Sequence, residues 1–240
     1  MNKVTVFLPM RKGSQRIKNK NIRDFSGIKG GLSFIKISQL LKVESISRIV
    51  ISTDDDEIKI LAKSFNNDKI IIDERPEKLA TSKTLTDDLI EYVPTIINSG
   101  VILWTHVTSP FIDEFMYQKM IQSYFNNLES YDSLMSVTKI QKFIWSEGGP
   151  LNYDKSKEKW PRTQTLTPLF EINSGVFLAN VSIYKEFKDR VGSNPYLYKL
   201  DSKEAFDIDW EDDFNMAEIL WSKYGWPRKT KRNILETSIN

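Results

Sequence analysis

Short apolar runs of strand length alternate along this chain with segments whose apolar residues recur at helical spacing. The strand-like runs are Val4–Leu8, Arg48–Ser52, Lys69–Ile72, Val101–Thr105 and Ser133–Val137. Between them, Leu32, Ile35, Leu40 and Leu41 share one helical face, and Ile58, Leu61, Ala62 and Phe65 a second. Leu85, Leu89, Ile90, Val93, Ile96 and Ile97 make a third, and Phe115, Met116, Met120, Ile121, Tyr124 and Phe125 a fourth. Strict β–α alternation, with runs apolar on both faces, predicts an α/β fold whose mainly parallel sheet is covered by helices. Ligands of such sheets bind beyond the carboxyl ends of the strands, which directs attention to loops 9–23, 52–56, 73–84 and 105–113.

The alternation breaks over 139–172. Gly148, Gly149, Pro150, Pro161 and Pro168 interrupt a polar stretch carrying Trp145, Tyr153 and Trp160. Aromatics in so polar a segment either pack on another surface, such as a second subunit, or anchor a long loop. Regular pattern resumes at Gly175–Ala179, and Glu211–Tyr224 predicts a last helix with Phe214, Ala217, Leu220 and Trp221 inward. The tail from Pro227 is basic and is expected to be loosely held. With 240 residues and no repeat or linker, 1–240 is expected to form a single domain with 139–172 as an insertion.

Charge changes the picture locally. The whole chain carries only +2, from 34 basic and 32 acidic residues, which argues against a nucleic-acid partner. No apolar run reaches the roughly 18 residues of a membrane span, and Val4–Leu8 is too short for a signal peptide, so a cytoplasmic protein without a membrane partner is expected. With no cysteine, thiolate chemistry and cysteine metal sites are excluded. Yet the loop after the first strand holds Arg11, Lys12, Arg16, Lys18, Lys20 and Arg23 around Gly13 and Ser14. Small residues, backbone N–H groups and cations are what approach a polyphosphate closely. The pattern is neither a P-loop nor a dinucleotide fingerprint.

Other stretches carry candidate chemistry. In Phe206-Asp-Ile-Asp-Trp-Glu-Asp-Asp213, Asp207 and Asp209 flank Ile208 and point the same way if the segment is extended. Two such carboxylates suit Mg²⁺, and the acids that follow suit a helix first turn. Ile51-Ser-Thr-Asp-Asp-Asp-Glu57 is accounted for as a helix cap, with no chemistry. Arg75, held extended by Pro76, is placed to reach across the sheet top. His106, the only histidine, begins His106-Val-Thr-Ser-Pro110 at a strand's carboxyl end, with no serine-hydrolase elbow elsewhere.

In this order the segments resemble one family, the cytidylyltransferases that make CMP-activated acidic sugars, CMP-sialic acid synthetases and their relatives. The matching segments are Leu8-Pro-Met-Arg-Lys-Gly-Ser-Gln-Arg-Ile-Lys-Asn-Lys-Asn-Ile22, Ile51-Ser-Thr-Asp-Asp55, Arg75-Pro-Glu-Lys-Leu-Ala80, Thr108-Ser-Pro110, Asn173-Ser-Gly-Val-Phe177 and Asp207-Ile-Asp209. The resemblance implies a three-layer, nucleotide-diphospho-sugar transferase-like (Rossmann-like) fold, CTP as substrate, Mg²⁺ as cofactor, and a homodimer with 139–172 as its dimerisation arm. It implies Arg11 and Lys20 as phosphate-binding, catalytic cations and Leu8, Gly13, Ser14 and Asn21 at the nucleotide. It further implies Arg75 and Thr86 near the base, and Asp207 and Asp209 as metal ligands, Asp209 being catalytic. His106, Arg162, Glu171 and Phe177 fall at its acceptor positions.

The departures lie on the acceptor side. The family commonly has Gln-Pro-Thr-Ser-Pro where this chain has His106-Val-Thr-Ser-Pro110, and Arg-Pro-Asn-Gly-Ala where it has Glu171-Ile-Asn-Ser-Gly175. Glu171 works against holding an acidic sugar there, whereas Arg162 retains an arginine of the family that can clamp a carboxylate. The expected reaction is CMP transfer from CTP to sialic acid or a related nonulosonate, for surface glycan synthesis. A same-fold enzyme with a phosphorylated or phosphonate acceptor, and a non-catalytic CTP-binding subunit, are the alternatives.

Overall fold

The apolar runs pair into one seven-stranded sheet in a computed structural model that describes residues 3–225; the tail from Pro227 lies outside the described residues. In chain order the elements are β1 (Val4–Pro9), α1 (Gly31–Leu41), β2 (Ile46–Thr53), α2 (Asp56–Ser64), β3 (Ile70–Glu74) and α3 (Thr86–Ile96). Then come β4 (Val101–Thr105), α4 (Glu114–Asn126), β5 (Ser133–Ile140), β6 (Trp145–Ser146) and β7 (Gly149–Pro150). The chain continues through β8 (Leu169–Asn180), α5 (Val181–Phe187), β9 (Pro195–Leu200) and α6 (Glu211–Tyr224). The sheet order is β3-β2-β1-β4-β8-β5-β9.

Alternating side chains divide between the two faces. Val4, Val6 and Leu8 of β1 pack with α1, α2, α4 and α6, while Phe7 turns to the other face with α3 and α5. Leu103 and Trp104 of β4, and Leu178 and Phe177 of β8, split the same way. Burial on both faces explains why these strands read as continuous apolar runs. The three-layer α/β fold is thus present. Strict alternation is not: β8 runs antiparallel to both β4 and β5, because the chain returns from the insertion without a crossover helix. Leu85 and Phe115 depart from their predicted inward faces. Each stands at a helix N-terminus, 64% and 60% exposed, where the helical face has not yet turned toward the sheet.

Helix starts follow the side-chain chemistry. Asp55, Asp113 and Asn180 each accept a backbone N–H of the first turn of α2, α4 and α5. In the 139–172 stretch, 139–140 and 169–172 belong to the β5–β8 ladder, and the excursion between them carries the β6–β7 hairpin. Buried Asn152 closes its base: its side chain accepts from Ile144 N–H and donates to the carbonyls of Lys142 and Thr167. Trp145 donates to the Tyr153 hydroxyl, and Phe143 meets Tyr153 and Trp160 edge-on. The aromatics therefore pack on one another, yet Trp145 is 49% and Trp160 70% exposed.

Candidate active site

The cationic loop after β1 is fastened from three sides. Lys12 N–H donates to Asp54 Oδ1 at 2.8 Å, Asn21 Nδ2 donates to the Arg11 carbonyl at 3.2 Å, and Ser33 N–H at the head of α1 donates to the Asn21 carbonyl at 2.9 Å. Ile17 is buried beneath the loop as its apolar plug. Gly13 has φ +72°, and a Cβ there would meet no atom within 4 Å. Its glycine is thus demanded by the left-handed backbone, and the face above it is open. Arg11, Ser14, Arg16, Lys20 and Asn21 line a cleft of about 210 Å³, with His106 and Thr108 on the opposite wall.

The acidic segment meets this cleft from the side. Ile208 is buried in the core and its N–H donates to the Thr108 carbonyl at 3.0 Å. Asp213 accepts from the N–H groups of Asp209 (3.1 Å) and Trp210 (2.8 Å), so the acidic first turn of α6 also pins the strand before it. Held extended between these anchors, Asp207 and Asp209 line one concavity of about 350 Å³ with Glu171, Asn173 and Ser174. Lys20 joins the two concavities: its Nζ donates to the Ile208 carbonyl at 2.8 Å and lies 3.7 Å from Asp209, which also pairs with Arg16 at 3.2 Å. Burial pulls the Lys20 ammonium below its ordinary pKa against the opposing pull of Asp209 and Asp207. Burial likewise pushes the Asp207 carboxyl up, with a hydrogen bond from Thr108 opposing and the charge of Asp209 adding to it.

Behind the cleft wall stands a charge that the hydrophobic pattern did not reveal. Lys36, on the inward face of α1, is fully buried, and its Nζ donates to the carbonyls of Ser109 (2.8 Å) and Ile112 (3.2 Å) and to the Tyr117 hydroxyl (2.8 Å). Gln39, one turn on, donates to the Pro110 carbonyl at 2.8 Å. Together they fix the 108–112 turn, whose Ser109 hydroxyl faces Asp207 at 3.5 Å. Burial lowers the Lys36 pKa to about 7.

The predicted residues are gathered unevenly. Arg11, Gly13, Ser14, Lys20 and Asn21 belong to one loop, and Asp207, Asp209 and Glu171 share the acidic concavity. His106 lines the cleft as a neutral ring: Trp104 Nε1 donates to its Nε2 at 3.0 Å, and burial, then the charge of Arg190, lowers its pKa to about 3. Arg75 does not reach across the sheet top. It folds back on β2, donating to Ser52 Oγ (3.2 Å) and the Ser52 carbonyl (2.7 Å). Leu8 and Phe177 are buried, one in each of the sheet's two cores, because strand alternation sends them to opposite faces. Thr86, first residue of α3, and Arg162, in the arm, are exposed and outside the lining of both concavities. Asp54, given no role beyond capping, grips the cationic loop instead; its signal was a carboxylate at the end of the strand beside β1.

Comparison with known proteins places these features. The family described as Cytidylyltransferase matches residues 5–224. An N-acylneuraminate cytidylyltransferase of Escherichia coli O18:K1:H7 is 27% identical over 230 residues, 92% of this chain and 52% of that protein. A pseudaminic acid cytidylyltransferase of Campylobacter jejuni is 25% identical over 230 residues, 89% of this chain and 94% of that protein. The chain spans about half the length of several N-acylneuraminate relatives it matches, at 50% to 52%. Among solved structures, a CMP:2-keto-3-deoxy-manno-octonic acid synthetase complexed with CTP superposes with a TM-score of 0.65 at 15% identity, covering 92% of this chain and 99% of that one.

Proposed function

Because the chain belongs to the cytidylyltransferase family, we propose that it transfers CMP from CTP to an acidic sugar of the nonulosonate class, releasing pyrophosphate, in the building of a surface glycan. The observation that carries this reading is Lys20, which ties the cationic loop to the Asp207–Asp209 strand through the Ile208 carbonyl and Asp209. Relatives named for N-acylneuraminate and pseudaminic acid support the acceptor class.

In the proposed reaction the acceptor hydroxyl attacks the α-phosphorus in line, a phosphorus–oxygen bond forms as the bond to pyrophosphate breaks, and one proton is released. Arg11 and Lys20 face the charge that develops on the phosphoryl oxygens and on the leaving pyrophosphate. The open backbone at Gly13 and Ser14 lets the triphosphate approach the loop. Positioning and electrostatics supply most of the acceleration in such transfers. His106 is not the base that takes the hydroxyl proton, since its Nε2 lone pair is already engaged by Trp104 and its pKa lies near 3.

Mg²⁺ fits the donor set. Asp207 and Asp209 share one concavity, and the Asp207 carboxyl, pushed up by burial and then by its neighbour's charge, gains from a cation beside it. No cluster of three acidic or histidine ligands occurs among the described residues. Mg²⁺ characteristically takes one or two carboxylates and completes its shell with phosphate oxygens and water. When bound, it would supply Lewis-acid stabilisation of the phosphates.

The test is pyrophosphate release from CTP and Mg²⁺ with a panel of acidic nine-carbon sugars. Turnover of at least one is expected, and turnover of none while a phosphorylated or phosphonate acceptor reacts would replace this reading with that alternative. Asp209→Asn is expected to abolish turnover while circular dichroism and melting temperature stay near wild type; near-normal activity would remove Asp209 from the site.

A further inference from the structure

The acidic concavity is held from beneath by a buried polar network with Lys36 at its hub. The turn carrying Thr108 and Ser109 meets the paired-aspartate segment at three points. The Thr108 carbonyl accepts from Ile208 N–H, the Thr108 side chain hydrogen-bonds the Asp207 carboxyl, and the Ser109 hydroxyl faces that carboxyl at 3.5 Å. From the core side the same turn is gripped by its carbonyls, those of Ser109 and Ile112 by Lys36 and that of Pro110 by Gln39. Asp207 is therefore oriented by a loop whose own backbone is set by α1.

A second branch runs to another part of the concavity. Lys36 Nζ donates to the Tyr117 hydroxyl at 2.8 Å, that hydroxyl lies 2.8 Å from the Thr105 hydroxyl, and Thr105 donates to the Gly175 carbonyl at 2.7 Å. Because Thr105 gives its one proton to Gly175, Tyr117 donates to Thr105, and every link is satisfied. Gly175 follows Asn173 and Ser174, which line the concavity with Asp207 and Asp209, and its N–H donates to Asn173 Oδ1 at 3.2 Å. Lys36, Thr105 and Tyr117 are all fully buried. Burial works against the Lys36 ammonium, while the charges of Asp113 and Asp207 support it. Truncating Lys36 would leave two turn carbonyls and a tyrosine hydroxyl short of a donor, with no water at hand to replace it.

We propose that Lys36 is a positioning residue: through the 108–112 turn and through Tyr117 and Thr105 it holds the Asp207 carboxylate, and the 173–175 segment sharing its concavity, in the arrangement that a divalent cation needs. This rests on the Mg²⁺ reading of Asp207 and Asp209 above. Groups that orient a metal ligand commonly contribute about 10–100-fold to metal affinity or activity.

The experiment is thermal melting of the whole chain with CTP across a Mg²⁺ titration, since a ligand that binds only the folded state raises apparent stability. Wild type, Lys36→Met and Asp207→Asn are compared with Val93→Ala, a loss of packing in the core on the other face of the sheet. Lys36→Met is expected to raise the Mg²⁺ concentration for half-maximal CTP stabilisation about tenfold. Val93→Ala is expected to melt lower without ligand and to keep the wild-type Mg²⁺ dependence. A Lys36→Met protein that melts lower yet keeps that dependence would overturn the assignment, and so would an equal shift in Val93→Ala. If CTP and Mg²⁺ do not stabilise the wild type, or if Asp207→Asn leaves the dependence unchanged, the Mg²⁺ reading fails and this assignment with it. If Asp207→Asn shifts it and Lys36→Met does not, only Lys36 is wrongly placed. Should Lys36→Met not fold, Tyr117→Phe, which cuts the Thr105 branch, decides the matter: a raised Mg²⁺ requirement is expected, and the wild-type value overturns the assignment.

Discussion

Lys36 shows how one side chain can govern a site it never enters. Its ammonium is buried with three acceptors that match its three donors, and two of these are carbonyls of the turn facing Asp207. Desolvation holds its folded pKa near 7, below the 10.5 of an exposed lysine. The unfolded chain therefore binds the extra proton between those values, and the group's contribution to stability rises with pH from about 7 toward 10.5. Below pH 7 both states are protonated and its contribution is flat. Denaturant unfolding of wild type and Lys36→Met from pH 6 to 10 is expected to show wild type gaining on the variant only above about pH 7, by no more than about 1.4 kcal/mol per pH unit. A constant gap across that range would refute it. Nothing in the hydrophobic pattern pointed to Lys36, because a lysine on a helical face is ordinarily solvated. By contrast, Asp207 and Asp209 were legible, since alternation about a buried Ile208 is a property of neighbours in sequence.

At the scale of elements, the phosphate loop depends on how tightly α1 docks behind it. Gly31, the first residue of α1, has φ +49°, and a Cβ there would come within 1.9 Å of the Arg23 carbonyl oxygen. Gly31→Ala is expected to cost at least about 1–2 kcal/mol from the left-handed backbone alone, with the clash adding to it. It should also weaken CTP-dependent thermal stabilisation, because the displaced carbonyl belongs to the loop's own exit. Thermal melts with and without CTP would check this, and a variant as stable as wild type would show that the turn can relax. Element existence was largely legible. β4 and α6 begin and end where the apolar pattern placed them, and β1, β2, β3 and β5 were found with ends displaced by a few residues. β9 and α5 were not among the predicted elements; β9 opens on Pro195 and carries Lys199 among its apolar residues, and α5 spans only two helical turns.

Across the whole molecule, the excursion between β5 and β8 is ordered by Asn152 yet leaves Trp145 about half exposed and Trp160 more so. Exposed aromatics grouped on this excursion fit the homodimer that the family resemblance implies, for which Tyr and Trp are favoured interface residues. Sedimentation is expected to give a particle of twice the chain's 27.9 kDa, and replacing 143–165 by a short glycine-serine turn is expected to give a folded monomer. A wild-type monomer at micromolar concentration would sink the proposal.

The sequence by itself determined the strand–loop–helix opening, the cationic loop, the paired aspartates and the family resemblance, because these depend on residues adjacent in the chain and on periods of two and 3.6. Only the tertiary structure decided that Arg75 folds back on Ser52, that Asp54 grips the loop, that Lys36 stands behind Asp207, and that Arg190 stacks on Phe177 and Trp104. Those outcomes turn on which strands become neighbours in the sheet and on how completely a charge is removed from water, and neither is written in local pattern.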